Sequence, residues 1–239
     1  MIDSSIGSLI ITIITIIITI ITITIFIIVD PKFFEQLGKL KQKPKYLYIG
    51  ASDSRVTTNQ ILGLPAGAVF VHRNIANQFQ ANDLNALCVL EYAVGHLGVQ
   101  DILVCGTYGN EPIKLATAKQ DLGLLENWLR AIRDVYRLHK DNLDTYANEG
   151  DKLNRLVELN AIEQCLNIYK TGVVQRKRLQ TAEASGGKEV LPRIHALVFN
   201  PATGLLTKLK VDFEKRIGSL DHIYGLHDQK SPTATAAQS

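Results

Sequence analysis

From Pro31 onward the apolar positions fall into short blocks with two alternating kinds of spacing. Tyr46–Gly50 is a continuous apolar run ending in glycine, which reads as a buried strand, and Ala68–His72 is a second. Between Asp83 and Leu97 the apolar residues stand at 84, 87, 90, 94 and 97, the spacing of one helix face, and Asp83 is placed to cap it. Asp101–Gly106 is a third strand, again closed by glycine. Strand, helix and strand in this order predict an α/β fold with a mostly parallel central sheet flanked by helices. In such sheets ligands gather at the carboxyl ends of the strands, which directs attention to the loops 51–55 and 107–112. Downstream, the pattern predicts helices over 122–139 around Trp128 and over 151–170, where Leu153, Leu156, Leu159 and Ile162 share a face. Thr181–Gly187 reads as a loop. Ile194–Asn200 and Leu205–Val211 are strands flanking the turn Pro201-Ala202-Thr203-Gly204, a last helix starts near Asp212, and the tail 227–239 is expected to be disordered.

The first 30 residues do not follow this pattern. Leu9–Val29 is a run of isoleucine and threonine without a charge, long enough for the roughly 20 residues a bilayer core requires. Thr12, Thr15, Thr19 and Thr22 would share one helix face, although β-branched residues also favour strands in water. Lys32, Lys39, Lys41, Lys43 and Lys45 follow the run, and would hold the following domain on the cytoplasmic side of a membrane. Three readings of 1–30 stand: a membrane anchor through 9–29, an arm covering a partner subunit, or low-complexity sequence. Residues 31–226 form the expected domain.

Composition narrows the field. With 26 Lys and Arg against 23 Asp and Glu, the net charge of +3 gives no basis for nucleic-acid binding. Cys88, Cys105 and Cys165 are far apart, so neither a disulfide framework nor a structural zinc module is indicated, and a reducing compartment fits.

Specific segments carry a resemblance. Ser52-Asp53-Ser54-Arg55, Val69–Asn77, Glu91–Val94, Val104–Gly106, Asp121–Leu125 and Leu156–Asn160 follow one another as in the β-class carbonic anhydrases, over residues 31–226. The resemblance implies an α/β domain with a dimer as the minimal unit. It also implies a zinc ion held by two cysteines and a histidine, in the patterns C-x-D-x-R and H-x-x-C. Here the three ligand positions are Ala51, Thr107 and Asn110, and Glu111-Pro112 replaces the usual double glycine. Asp53 and Arg55 are the retained dyad that would orient a metal-bound hydroxide, and Gln42 matches the glutamine that hydrogen-bonds bicarbonate or CO2.

Zinc takes thiolate, imidazole or carboxylate ligands. Alanine has no donor, and a threonine hydroxyl or an asparagine amide is a weak neutral ligand. The expectation is therefore no cofactor, with Asp53–Arg55 surviving as an ion pair that pins its loop. Zinc returns only if another site exists, for which Asp53, Cys105 and Glu111 are the nearest candidates. His72-Arg73-Asn74 is expected to satisfy buried backbone at a subunit contact. Ser52 and Ser54 have no histidine base nearby, and the other histidines suggest neither a metal site nor a triad. Three functions follow. The first is a pseudoenzyme that forms a homodimer or a heterodimer with an active relative, or binds a small anion such as bicarbonate near Arg55 and Gln42. The second is a working carbonic anhydrase with a rebuilt metal site, and the third is a membrane-anchored interaction module.

Overall fold

A computed structural model describes residues 31–53, 55–218 and 221–226. The Ile/Thr run, with its anchor and arm readings, and the expected disordered tail lie outside the described residues. Among the described residues, no helix is long and apolar enough to cross a membrane. The chain divides into two units between Gln42 and Lys43. Within the first, α1 (Phe33–Lys39) carries an ion pair of Glu35 with Lys39 one turn on.

In the second unit, β1 (Tyr46–Ala51) leads through the short α2 (Thr58–Leu62) to β2 (Val69–Asn74) and a tight turn at Ile75–Asn77. Helix α3 (Leu84–Glu91) starts at Asp83, whose carboxylate accepts the Asn85 and Ala86 N–H groups at 3.0 and 3.2 Å. A wider turn over Tyr92–Leu97 extends it to Gly98, which closes it at φ 67°. Next come β3 (Asp101–Thr107), α4 (Glu111–Thr117), α5 (Leu125–Leu138), α6 (Lys140–Leu143), the long α7 (Glu149–Tyr169) and α8 (Gly172–Ser185). The chain ends through β4 (Arg193–Asn200), β5 (Leu205–Lys208), α9 (Phe213–Gly218) and α10 (Asp221–Tyr224). The sheet order is β2-β1-β3-β4-β5, parallel except for the β4–β5 hairpin.

Two expectations are corrected. Residues 181–185 are helix, not loop: the chain stays in α8 until Gly186, which takes the left-handed conformation at φ 62° and closes it. The cluster of small residues misled the reading, because Ala182-Glu183-Ala184 are good helix formers and only the glycine pair breaks the helix. In addition, the 107–112 segment is a loop only as far as Asn110, after which α4 begins.

Every residue of β3 is buried, as expected for a central parallel strand covered on both faces. One face (Leu47, Ile49, Ile102, Val104, Ala196) packs on Leu90 and Val94 and on Ala161, Cys165 and Ile168 of α7. The other (Tyr48, Leu103, Cys105, Leu197, Phe199) is covered by Val56, Ile61 and Leu62 around α2. Burying an aliphatic or aromatic side chain of this size stabilises by about 1.5–3 kcal/mol. Helix α7 approaches β3 so closely at Gly106 that an added Cβ would stand 2.8 Å from Val157 Cγ1 and 3.3 Å from the Val157 carbonyl oxygen.

Amide side chains tie the 75–80 segment to α5 and α7. Asn160 donates to the Ala76 carbonyl at 3.0 Å, Gln164 donates to Asn160 at 3.0 Å, and Gln164 Oε1 accepts the Phe79 N–H at 2.8 Å. The Trp128 indole N–H donates to the Ile75 carbonyl at 2.8 Å. At the amino end of the sheet, the buried Asp101 accepts a two-point bond from Arg193 (2.7 and 2.8 Å) and one from His195 (2.8 Å). Burial disfavours its charged form, but the Arg193 and His195 hydrogen bonds outweigh this and hold its carboxyl below the usual range.

Two predictions follow from this packing. Gly106→Ala should destabilise the protein by about 1–3 kcal/mol in a denaturant melt, since Val157 presents backbone as well as a stiff side chain to the new methyl. A depressed folded pKa gives stability that is present above the unfolded value of about 3.9 and lost as pH falls through the folded one. Asp101→Asn should therefore lower the melting temperature at neutral pH and flatten its decline below about pH 4.

Candidate functional site

The carboxyl ends of β1 and β3 lie side by side, and the loops that leave them are held by different means. Ala51 closes β1, is buried and offers only a methyl group. The Ser52 N–H donates to the Asn74 carbonyl at 2.7 Å, which prolongs the β1–β2 pairing by one residue. Arg73, on β2, then gathers the following loop. Its guanidinium donates to the carbonyls of Ala51 (2.7 Å), Asp53 (2.8 Å) and Val56 (3.1 Å). Within that loop, Arg55 Nε lies 2.9 and 3.0 Å from the two Asp53 carboxylate oxygens, and the Arg55 backbone N–H adds a bond of 2.9 Å. The Arg55 side-chain hydrogen bond holds the Asp53 carboxyl below the usual carboxylate range and raises the Arg55 pKa in turn. The dyad therefore faces itself, with Asp53 mostly covered and Arg55 about half exposed.

On β3, Thr107 is buried. Tyr108 follows, donating its N–H to the Phe199 carbonyl at 3.0 Å and its hydroxyl to Glu158 at 2.6 Å. Burial, reinforced by Glu158, pushes the Tyr108 pKa up to about 12. Gly109 makes the turn at φ 66°, a conformation few side chains adopt. Asn110 then serves as the N-cap of α4: its side-chain oxygen accepts the Ile113 N–H at 3.2 Å. Pro112 stands in the first turn, where its missing N–H costs nothing, and Glu111 suits the positive end of the helix dipole.

The other residues singled out by sequence do not converge. Cys105 is fully buried, donates its thiol to the Gly106 carbonyl at 3.4 Å, and has its pKa pushed by burial to about 11. The Tyr48 ring crosses Gly50, where an added Cβ would stand 2.6 Å from the phenol oxygen. Glu111 is exposed and pairs with Lys114 at 3.7 Å. Gln42 is an exposed residue of the first unit. Among the described residues, no group of three or more His, Cys, Asp and Glu side chains is placed to hold a metal ion. The buried side-chain polar atom left without a partner among those residues, Asn77 Nδ2, is a hydrogen-bond donor and so no ligand for a cation.

His72 is buried against Asn74, and burial lowers its pKa. Asn74 closes the turn after β2 through the Gln78 N–H and carbonyl. His139 meets Glu163 at 2.9 Å and His96 stacks on Tyr92 with ring centroids 5.6 Å apart, so each packs locally. Sequence reasoning missed the role of Asn110, although Asn-x-Pro is a legible helix start. The three-carbonyl grip of Arg73 had no local signal, since it joins β2 to the end of β1 and the loop that follows, 17 to 22 residues away in the chain.

Comparison with known proteins places these features in context. A family model described as carbonic anhydrase matches residues 46–206. A carbonic anhydrase of Emericella nidulans is 50% identical over 197 residues, 82% of each chain. Among solved structures, the β-carbonic anhydrase CafA of Aspergillus fumigatus superposes with a TM-score of 0.76 at 28% identity, covering 88% of this chain and 96% of that one. A tetrameric β-carbonic anhydrase of Sordaria macrospora gives 0.72 at 30% identity, covering 82% and 95%.

Because one Arg73 guanidinium bonds three carbonyls, Arg73→Ala should destabilise by about 1–3 kcal/mol and expose loop 51–56 to limited proteolysis. An unchanged melting temperature and cleavage pattern would show that water replaces the guanidinium at no cost.

Proposed function

This chain belongs to the β-class carbonic anhydrase family, and from that premise we propose that it has given up zinc-dependent CO2 hydration and acts as a pseudoenzyme. One observation carries the reading: none of the three positions that hold the family's zinc carries a thiolate, an imidazole or a carboxylate. Ala51 has none, Thr107 offers a neutral hydroxyl in a buried strand end, and the Asn110 oxygen is already bonded to the Ile113 N–H. The residues present do not fit zinc. The ion would otherwise lower the pKa of a bound water to about 7, and no other group here supplies hydroxide at neutral pH. Nor do the fallback ligands favour a substitute site: Cys105 is buried as a thiol, Asp53 is engaged by Arg55, and Glu111 faces solvent.

On this reading Asp53 and Arg55 keep a structural task, bracing the loop after β1. The exposed half of the Arg55 guanidinium remains available to a small anion such as bicarbonate. The domain would act through assembly, as a homodimer or larger oligomer or in a mixed oligomer with an active relative. The tetrameric Sordaria macrospora relative supports assembly in general. A second reading, an active carbonic anhydrase with a differently built metal site, draws its support from the 50% identical relative that bears that name.

Metal content and CO2-hydration rate on the same purified full-length sample separate the two. The expected result is neither zinc nor rate in the parent, with both appearing in the triple variant Ala51→Cys, Thr107→His, Asn110→Cys. About one zinc per parent chain, together with hydration activity, would overturn the pseudoenzyme reading.

A further inference from the structure

Resting on the proposed loss of zinc, we infer that the two loops a shared metal would join are here fastened independently, with Asn110 turned from a ligand position into the cap that starts α4. A metal bound from both strand ends is a cross-link, so its loss should leave both loops loose unless something replaces it. The replacements are on different elements. Loop 51–56 is closed by Arg73 from β2 and by the Asp53–Arg55 fork. Segment 107–112 is closed by the Tyr108 N–H on β4, the Tyr108 hydroxyl on Glu158 of α7, and the Asn110 cap.

None of these bonds spans from one loop to the other. Three of the segment's four departures from the family pattern, Asn110, Glu111 and Pro112, also serve one end. Asparagine is among the best N-caps, proline in the first turn is preset for helix, and glutamate there complements the dipole. Two glycines at 111 and 112 would instead have favoured a flexible backbone. Helix α4 is buried through Ile113 and Ala116, so its start bears on the core that includes Ala76 and Val198. The domain therefore holds its site region together without a divalent ion, and the two loops do not report on one another.

Hydrogen exchange by mass spectrometry and thermal melts on the full chain test this, with Asn110→Ala, Asn110→Ser and Arg73→Ala beside the parent. Chelator and added Zn2+ should leave the parent's melting temperature unchanged. Asn110→Ala should lower it by about 2–4 °C and speed exchange over 110–117 while leaving 51–57 as in the parent. Asn110→Ser, which keeps a capping oxygen, should restore both readouts, and does so informatively even if the alanine variant fails to fold. Arg73→Ala should speed exchange over 51–57 alone. The inference is overturned if either single variant loosens both loops together, if serine behaves like alanine, or if chelation lowers the parent's melting temperature. Zinc found in the parent defeats the functional reading. A zinc-free parent whose loops respond together defeats only this inference.

Discussion

The rest of the architecture depends on burying β3 along its whole length. A strand covered on both faces needs backbone partners on either side, and β3 has them: β1 pairs parallel with Asp101–Cys105 and β4 with Asp101–Thr107. Its two faces must then be covered, by α7 with α3 on one side and by the α2 region on the other. That arrangement sets the position of Gly106, where α7 comes too near for any side chain, and it delivers the ends of β1 and β3 to the same edge. The functional region is thus a by-product of sheet burial and persists whether or not its chemistry does.

This separation of scaffold from chemistry is visible in the interior polar groups. The amides of Asn160 and Gln164 bond the 75–80 segment to α7, and the Trp128 indole bonds it to α5. Buried groups of this kind are costly when half satisfied, so any one of them preserves its partners. Ala51, Thr107 and Asn110 take no part in those hydrogen bonds.

The sequence made much of this legible, and the failures have physical causes. Strands β1 and β3 could be read because double burial leaves an unbroken apolar run, and Asp83 because a cap is a local bond. The last turns of α8 read as a loop because small residues resemble a turn until the backbone of Gly186 decides the matter. Asn110 was read as an absence, a cysteine position without its cysteine, when its immediate sequence context already spelled a helix start. Arg73 could not have been assigned from the chain alone, since its partners lie 17 to 22 residues away, at the end of β1 and in the loop that follows. At the site, residue chemistry was readable but the geometry that commits each donor elsewhere was not.

The Asn110 cap also has an evolutionary meaning. A position that has merely lost a ligand can regain it in one step. A position that holds up a helix regains a ligand only by surrendering the cap. On the proposed reading, the return of cysteine to 110 is the step that costs stability, while change at Ala51 and Thr107 meets no such barrier. If zinc has been given up as proposed, the cap acts as a ratchet that favours a new use for the domain over recovery of an old one.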